Sequence, residues 1–257
     1  MPLTNVLPNA PVIDNHLDMG FKHSKLHAMA MTHGGACIKK FSQGSDDNSK
    51  GVGLWYHQRN KNNGSRWAGI CKAMSVYWIS SHATDVDFWG WLTRNSTTIS
   101  QESAIHLCDL HGSYSSRNDH GNFATRSELG MTKHQWMAFQ LGKAGVVERT
   151  SISNGGSLSH DSGFTSANSR LLRGRQIATA LAENPGCYKQ LSFHRSGGGH
   201  ATALWVGDDV TFFDPNYGEF WFERRANFQR WFELFWLECY GHYNASFQIS
   251  NWGKAWG

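Results

Sequence analysis

The most informative stretch of this sequence is FFDPNYGEF, residues 212–220. Two phenylalanines followed by an aspartate are typical of the end of a strand, and Pro-Asn-Tyr-Gly is typical of a turn. A second short aromatic segment follows the turn, over residues 219–222. The stretch therefore predicts two antiparallel strands joined by a turn, with Asp214 at the end of the first strand.

The strand before this stretch begins at a histidine. Gly207-Asp208-Asp209 separates the segment 201–206 from the segment that starts at Val210. If this loop has three residues, Asp214 lies diagonally across from His200 on the same face, with Cβ atoms roughly 7–8 Å apart. A two-residue loop would place the two side chains on opposite faces. The three-residue loop thus predicts a hydrogen bond between His200 and Asp214.

A cysteine lies at the start of a predicted helix in GICKAMSVYW, residues 69–78. Ile70, Met74 and Tyr77 recur at the spacing of one helical face. The positive end of the helix dipole favours a thiolate at Cys71, and a neighbouring imidazolium would lower the thiol pKa further. Backbone amides at the same helix start are candidates for part of an oxyanion hole.

Together these residues form a candidate catalytic site. A thiol nucleophile, a general base and a carboxylate that orients the base are the working parts of a cysteine hydrolase. Each of the three alone is more typical of packing or of a turn, but their joint order and settings favour catalysis. We therefore predict Cys71 as nucleophile, His200 as base and Asp214 as orienting group, with no cofactor. We predict no metal, because His23 and His27 have no third ligand nearby.

The rest of the pattern predicts an α+β fold. Helices are expected to begin near Trp67 and to cover residues 132–143, 166–183 and 228–240. The helix over 166–183 is expected to stop at Asn184-Pro185-Gly186, and the aromatic cluster Trp231, Phe232, Phe235 and Trp236 is expected to form a core face rather than a membrane anchor. Strands are expected over residues 188–193, 201–206, 210–213, 219–222 and 243–249. The helices that come first would pack on a C-terminal antiparallel sheet. Residues 1–65 are rich in Asn, Ser, Gly, His and Lys, which predicts a loosely ordered leader and linker before a catalytic domain over 66–257.

Composition excludes several classes of protein. The net charge of +4 is mild and not concentrated in a run, so nucleic acid is not an expected partner. The N-terminus lacks a signal-peptide pattern, and no apolar run reaches the length of a transmembrane segment. Five widely separated cysteines in a chain of 257 residues predict no disulfide framework and a reducing compartment. We expect a monomer.

These three motifs resemble those of the YopT/AvrPphB-type cysteine proteases, papain-like effectors that bacteria inject into host cells. The block around Cys71 looks like the nucleophile motif, and Gly199-His200-Ala201 looks like the histidine motif. The stretch from Phe213 to Phe220 is similar to the aspartate motif and is the most specific of the three. The resemblance covers residues 67–222 in separate blocks and implies a papain-like fold.

The resemblance also implies a function. It predicts an endopeptidase, secreted by a bacterium, that cleaves a host protein of the small GTPase or signalling kinase class in the host cytoplasm. Cys-His-Asp sites also perform glutamine deamidation, transglutamination and acyl transfer, so these reactions remain alternatives. A non-catalytic binding module on the same scaffold is a further alternative.

Two features of the family have no clear counterpart. Papain-like enzymes place a Gln or Asn shortly before the nucleophile to complete the oxyanion hole, and the nearest amides here are Asn62, Asn63 and Gln58. None of these can be assigned from the sequence. Some family members also cut themselves and expose a Gly near a Cys that is lipidated. The segment Gly34–Lys40 has that outline. A flexible leader is the favoured interpretation of this segment, and lipid-mediated membrane attachment is the alternative.

Overall fold

The computed structural model describes residues 15–43, 70–94, 99–115, 124–149, 158–160, 167–195, 198–243 and 246–255. Its helices are α1 (Asn15–Thr32), α2 (Cys71–Ala83), α3 (Phe88–Thr93), α4 (Gln101–Ser115), α5 (Lys133–Gly142), α6 (Ala167–Ala182) and α7 (Arg225–Phe235), the last continuing as a π-helical turn (Trp236–Tyr240). Its strands are β1 (Gly35–Lys39), β2 (Val146–Glu148), β3 (Leu158–His160), β4 (Cys187–Arg195), β5 (Gly198–Val206), β6 (Val210–Asp214), β7 (Gly218–Phe222) and β8 (Phe247–Lys254).

The described strands form one antiparallel sheet. Their order is β1-β7-β6-β5-β4-β8-β2, and β3 pairs with β8 as well. The centre of the sheet, from β4 to β7, is a run of strands that are neighbours in the sequence, with two or three residues between one strand and the next. This arrangement places the two candidate site residues of the sheet, His200 on β5 and Asp214 on β6, on adjacent strands.

Each face of the sheet supports a separate hydrophobic core. On β5, Leu204 and Val206 belong to one core, and Ala203 and the half-buried Trp205, which alternate with them, pack in the other, as the two-residue period of a strand requires. The first core packs against α1, α6, α7 and the π-helical turn, and the second packs against α2 to α5. Phe212 and Phe213 likewise face opposite cores, which explains why two consecutive phenylalanines precede Asp214.

Helix α7 buries an aromatic stripe against the first core. Phe228, Trp231, Phe232 and Phe235 are at most 1% exposed and recur at the three- and four-residue spacing of one helical face. Their rings pack around Phe212 of β6, with centroids 5.4 to 5.9 Å away. The C-terminal aromatic cluster is therefore a core face, as the sequence predicted.

The β6–β7 turn requires a glycine at its end. Gly218 has a φ of +101°, and a Cβ there would collide with the backbone carbonyl of Lys39 at the end of β1. Since only glycine combines this dihedral angle with this close approach, the turn after Asp214 and the end of β1 are held together by their backbones.

Several predicted elements are confirmed. The helix predicted over 132–143 is α5, and Thr132 caps it in a reciprocal capping box with Gln135. The helix predicted over 166–183 is α6, which ends just before the predicted break. The strands predicted over 188–193, 201–206, 210–213 and 219–222 are β4 to β7. The last strand lies slightly later than predicted, and the helix predicted over 228–240 divides into α7 and the π-helical turn.

The N-terminal segment differs from the predicted loosely ordered leader. Residues 15–43 contain α1 and β1, and β1 pairs with β7 at one edge of the sheet. Leu26 and Ala30 of α1 are fully buried in the first core. The short β1 lacks the alternating polarity that signals a strand, which is why its composition suggested a leader. The predicted domain boundary at residue 65 lies outside the described residues.

The architecture is α+β, as predicted, although helices cover both faces of the sheet. None of the described helices is both long and apolar enough to cross a lipid bilayer.

Candidate active site

Cys71 is the first residue of α2 and is 8% exposed. The N-cap position is occupied by Ile70, whose side chain offers no hydrogen bond to the helix. The first N–H groups of the helix therefore keep their partial positive charge next to the thiol, which favours its ionised form. Ser75, one turn further along α2, ties the helix to β5, because its hydroxyl donates to the Ala201 carbonyl at 3.1 Å.

His200 and Asp214 meet across the β5–β6 hairpin. Val206 pairs with Val210, so the connecting loop has the three residues that the sequence predicted. His200 Nε2 lies 3.0 Å from Asp214 Oδ1, and both side chains are almost completely buried. Because Nε2 faces the carboxylate, Nδ1 is the ring nitrogen left for Cys71. The structure thus brings the three sequence-predicted residues together.

The electrostatics of the site favour a thiolate–imidazolium pair. Burial raises the pKa of the Cys71 thiol, but the charge of His200, a hydrogen bond with it and a backbone hydrogen bond from Ala201 together bring that pKa below its ordinary value. Burial lowers the pKa of His200, but the charges of Asp214 and Cys71 and their hydrogen bonds raise it to about 10. The lowered pKa of Cys71 and the raised pKa of His200 both favour the thiolate–imidazolium form of the pair.

Asp214 accepts more hydrogen bonds than the one from His200. The Asn216 backbone N–H donates to Oδ1 at 2.7 Å, and the Tyr240 hydroxyl lies 2.9 Å from Oδ2. The fully buried Asp214 carboxylate thus has three hydrogen-bond donors, His200, Asn216 and Tyr240. The charge that Asp214 presents to His200 is therefore fixed in place by neighbours on both sides of it.

Tyr240 is the residue of this site that the sequence did not single out. It closes the π-helical turn, is 3% exposed, and stacks on His200 with ring centroids 5.1 Å apart and planes inclined by 22°. Such π-helical insertions are frequent at functional sites. The aromatic pattern of residues 228–240 predicted only a core helix, because a tyrosine hydroxyl that turns toward a carboxylate leaves no periodic signal.

Gln43 is the other residue that the sequence missed. Its amide oxygen accepts from the Ile70 backbone N–H at 2.9 Å, directly before the nucleophile. Its backbone N–H donates to the Pro215 carbonyl in the turn after Asp214 at 2.7 Å. The amides considered from the sequence, Asn62, Asn63 and Gln58, lie outside the described residues. A spacing of 28 residues from Cys71 gave no motif by which Gln43 could be recognised.

A largely buried lysine lies beside the nucleophile. The Lys72 ammonium donates to Gln190 Oε1 at 2.6 Å and to Ser192 Oγ at 3.2 Å, both on β4. Burial lowers the pKa of Lys72 to about 7, with the charge of Cys71 opposing this shift and that of Lys133 adding to it. Both hydrogen-bond acceptors of the Lys72 ammonium are neutral groups, so neither of them compensates its positive charge.

The other cysteines have different environments. None of the five forms a disulfide, as the sequence predicted. Burial raises the pKa of Cys37 and of Cys187, which makes both thiols poorer nucleophiles than Cys71. Cys239 is buried in the first core.

The segment with the outline of a processing site, Gly34–Lys40, follows α1 and contains β1. Gly34 has a φ of +69°, and Gly35 begins β1, opposite Phe222 of β7. Cys37 is half-buried and pairs with Phe220.

The described residues contain no group of three metal-ligating side chains, and the His23 ring packs 5.5 Å from Tyr217.

Comparison with known proteins places this site in a family. The Peptidase_C58 family model, described as Yersinia/Haemophilus virulence surface antigen, matches residues 27–253. The chain belongs to the Peptidase_C58 family. The match begins within α1, so the N-terminal segment that joins the sheet is part of the Peptidase_C58 region. Membership confirms the predicted resemblance and, with the observed architecture, the α+β papain-like fold.

Curated relatives match a shorter part of the chain. Cysteine protease yopT1 of Yersinia enterocolitica serotype O:8 is 38% identical over 74 residues, which cover 26% of this chain and 23% of the relative. Cysteine protease YopT of Yersinia pestis is 36% identical over 74 residues, with the same coverage. The match thus spans less than a quarter of the length of these relatives.

Two solved structures are similar to this Peptidase_C58 chain. The Pseudomonas avirulence protein AvrPphB has a TM-score of 0.49 at 18% identity, covering 76% of this chain and 94% of that one. The YopT domain of the Pasteurella multocida PfhB2 toxin has a TM-score of 0.30 at 18% identity, covering 85% of this chain and 94% of that one.

Proposed function

We propose that this Peptidase_C58 member is a cysteine endopeptidase that uses Cys71, His200 and Asp214 as its catalytic triad. The observation that carries the proposal is the buried hydrogen bond of 3.0 Å between His200 and Asp214, next to a cysteine whose thiol pKa is lowered at a helix start. Within a peptidase family this arrangement supports cleavage of a peptide bond more than it supports the other reactions of such sites.

The arrangement supports a two-step mechanism. The Cys71 thiolate attacks the carbonyl carbon of the scissile peptide bond, and the negative charge moves to the carbonyl oxygen, near the N–H groups of the α2 start. When the tetrahedral intermediate collapses, the C–N bond breaks and the His200 imidazolium gives its Nδ1 proton to the leaving amine. Water then attacks the thioester, His200 accepts the water proton, and the acid product leaves as Cys71 is regenerated as a thiolate.

Asp214 acts through His200 in this mechanism. Its buried carboxylate fixes the imidazole ring with Nδ1 toward the nucleophile and stabilises the imidazolium before the proton is transferred. The raised pKa of His200 is the expression of that stabilisation.

The proposed context is that of a virulence protein. The family description, Yersinia/Haemophilus virulence surface antigen, supports a protein secreted by a bacterium. The substrate we propose is a host protein of the small GTPase or signalling kinase class, cleaved in the host cytoplasm by a monomeric enzyme.

One experiment tests this function directly. Host-cell lysate is treated with wild-type protein or with Cys71→Ala, and new protein N-termini are mapped by mass spectrometry. New termini that appear only with the wild-type protein identify the cleaved bond. If no new termini appear, and a host protein instead gains about one dalton per modified glutamine, the reaction is deamidation and the proposal is wrong.

Self-processing, with lipid attachment after it, is the alternative that the sequence left open for the segment Gly34–Lys40. A cut between Gly34 and Gly35 would separate α1 from β1 and leave a Gly near Cys37 as a candidate for lipid attachment. The intact masses of purified wild-type protein and Cys71→Ala decide the question, because identical masses after correction for the substitution exclude self-cleavage.

A further inference from the structure

A continuous chain of hydrogen bonds joins the start of the nucleophile helix to the carboxylate of the proposed triad. The Ile70 N–H donates to Gln43 Oε1 at 2.9 Å, and Gln43 Nε2 donates to Asn216 Oδ1 at 2.9 Å. Asn216 Nδ2 then donates to the Tyr240 hydroxyl at 3.2 Å, and that hydroxyl lies 2.9 Å from Asp214 Oδ2. Four links connect two residues that belong to different elements.

The direction of the donors in this chain is fixed at both ends. A backbone N–H can only donate, so the Gln43 amide must turn its oxygen to Ile70 and its NH₂ to Asn216. The Asn216 amide must then present its oxygen to Gln43 and its NH₂ to Tyr240. At the other end, the Tyr240 hydroxyl donates a hydrogen bond to the Asp214 carboxylate, so its oxygen is left to accept from Asn216. Every link is satisfied in one orientation alone.

The chain also crosses from one core to the other. Ile70 is fully buried in the core on the α2 side of the sheet, and Tyr240 is buried in the core on the α7 side. Cys71 follows Ile70 on the α2 side of the sheet, and Asp214 is contacted by Tyr240 from the α7 side. A hydrogen-bonded link between the layers fixes the distance between nucleophile and carboxylate, which packing on separate faces would leave less well defined.

Asn216 and Gln43 are suited to this role by additional backbone bonds. The Asn216 N–H donates to Asp214 Oδ1, and the Gln43 N–H donates to the Pro215 carbonyl. Both residues are therefore anchored to the turn that follows Asp214, independently of their side chains. The side-chain amides add the connections to Ile70 and to Tyr240.

We infer that Gln43, Asn216 and Tyr240 form a positioning network that holds Asp214 and the Cys71 helix start in register for the proposed reaction. The inference rests on the proposed triad. The network residues do not touch the reacting atoms of the substrate; they act through Asp214 and through the backbone before Cys71. Gln43 comes from the segment directly after β1, so this segment contributes a residue to the site.

The test measures the reactivity of the Cys71 thiol without a substrate. The full chain is treated with iodoacetamide between about pH 4.5 and pH 9, and the alkylation rate of Cys71 is followed by peptide mass mapping. The acid limb of the resulting rate–pH profile, where the rate falls as the thiolate is protonated, reports the thiol pKa. Tyr240→Phe keeps the ring that stacks on His200 and removes the hydroxyl that donates a hydrogen bond to Asp214. Gln43→Leu removes the hydrogen bonds to Ile70 and Asn216 at similar side-chain volume. The double variant Gln43→Leu/Tyr240→Phe breaks the hydrogen-bond chain at both of its ends.

The expected result is a shift of the acid limb to higher pH. A loosened Asp214 holds the imidazolium less well, so the Cys71 thiolate loses stabilisation, and a shift of one pH unit slows alkylation about tenfold at pH values well below the thiol pKa. The double variant should resemble the worse single variant, because one break already interrupts the chain. Tyr188→Phe is the matched control: Tyr188 is equally buried and its hydroxyl bonds His82 at 2.9 Å, away from the triad.

The opposing results are distinct. If Tyr240→Phe and Gln43→Leu keep the wild-type acid limb and only lower the melting temperature, as Tyr188→Phe is expected to do, the residues are structural and the inference is wrong. If the wild-type Cys71 itself shows no reactivity in acid, the proposed triad fails, and the inference falls with it.

Discussion

The His200 imidazole meets the Asp214 carboxylate at 3.0 Å because the hairpin between them has a three-residue loop. With Val206 paired to Val210, both side chains fall on the same face of the sheet, toward the core that contains Tyr240. A two-residue loop would send one of them to the opposite face. Loop length is thus the local feature on which the geometry of the proposed triad depends.

Replacing Asp214 by asparagine should impair catalysis far more than folding. The amide keeps a similar shape and one acceptor oxygen for His200, but it removes the charge that raises the His200 pKa. By analogy with other triads, we expect the cleavage rate on a substrate found by N-terminal mapping to fall by about four orders of magnitude. Circular dichroism checks that the variant is folded. A variant that retains more than about a tenth of the wild-type rate would show that the carboxylate charge is dispensable.

Lys72 should make stability depend on pH. Its folded pKa of about 7 lies below the ordinary value of 10.5, so between these values the unfolded chain holds a proton that the folded chain has released. Stability therefore rises with pH across this window. The free energy of unfolding of the wild type, minus that of Lys72→Met, should increase between about pH 7 and pH 9 in urea titrations. Parallel pH profiles for the two proteins would contradict the lowered pKa.

Glu219 should contribute to stability through two indoles, the buried Trp78 and the half-buried Trp89. Its Oε2 accepts from Trp78 Nε1 at 3.0 Å and from Trp89 Nε1 at 2.7 Å, which ties α2 and α3 to β7. Glu219→Leu leaves both N–H groups without an acceptor and should cost about 3 kcal/mol in the free energy of unfolding. Glu219→Gln retains an acceptor oxygen and should cost less than half of that. Equal losses for the two variants would show that the contribution of Glu219 to the free energy of unfolding comes from packing rather than from the two hydrogen bonds.

The cap of α5 gives a smaller and independent prediction. The Thr132 hydroxyl oxygen accepts from the Gln135 N–H at 3.2 Å, and the Gln135 amide oxygen accepts from the Thr132 N–H at 2.9 Å. Thr132→Ala should lower the free energy of unfolding by about 1 kcal/mol, while Thr132→Ser should preserve it. Chemical denaturation measures both values, and an unchanged stability for Thr132→Ala would mean that water replaces the cap.

The sequence predicts those parts of the fold that have local signals. The β5–β6 hairpin, the capped α5 and the break after α6 each follow from turn residues or caps within a few positions. His200 and Asp214 could be paired because one turn relates them. Cys71 could be placed at a helix start because Ile70 and Met74 show the helical period.

What the sequence missed depends on distant contacts. Strand β1 is recognisable only from its pairing with β7, about 180 residues later. Gln43 and Tyr240 reach the site from opposite ends of the chain, and neither lies in a motif. Their roles follow from the tertiary approach of the α2 start, the β6–β7 turn and the π-helical turn, which no local pattern records.

The most direct test of the proposed triad compares the five cysteines of the folded protein. Iodoacetamide is applied briefly at about pH 6, where an ordinary thiol is almost entirely protonated, and each cysteine is quantified by peptide mass mapping. We predict that Cys71 reacts much faster than the other four and that His200→Ala abolishes this preference. If Cys71 reacts no faster than the others, or reacts equally fast in His200→Ala, then Cys71 and His200 do not form the catalytic pair.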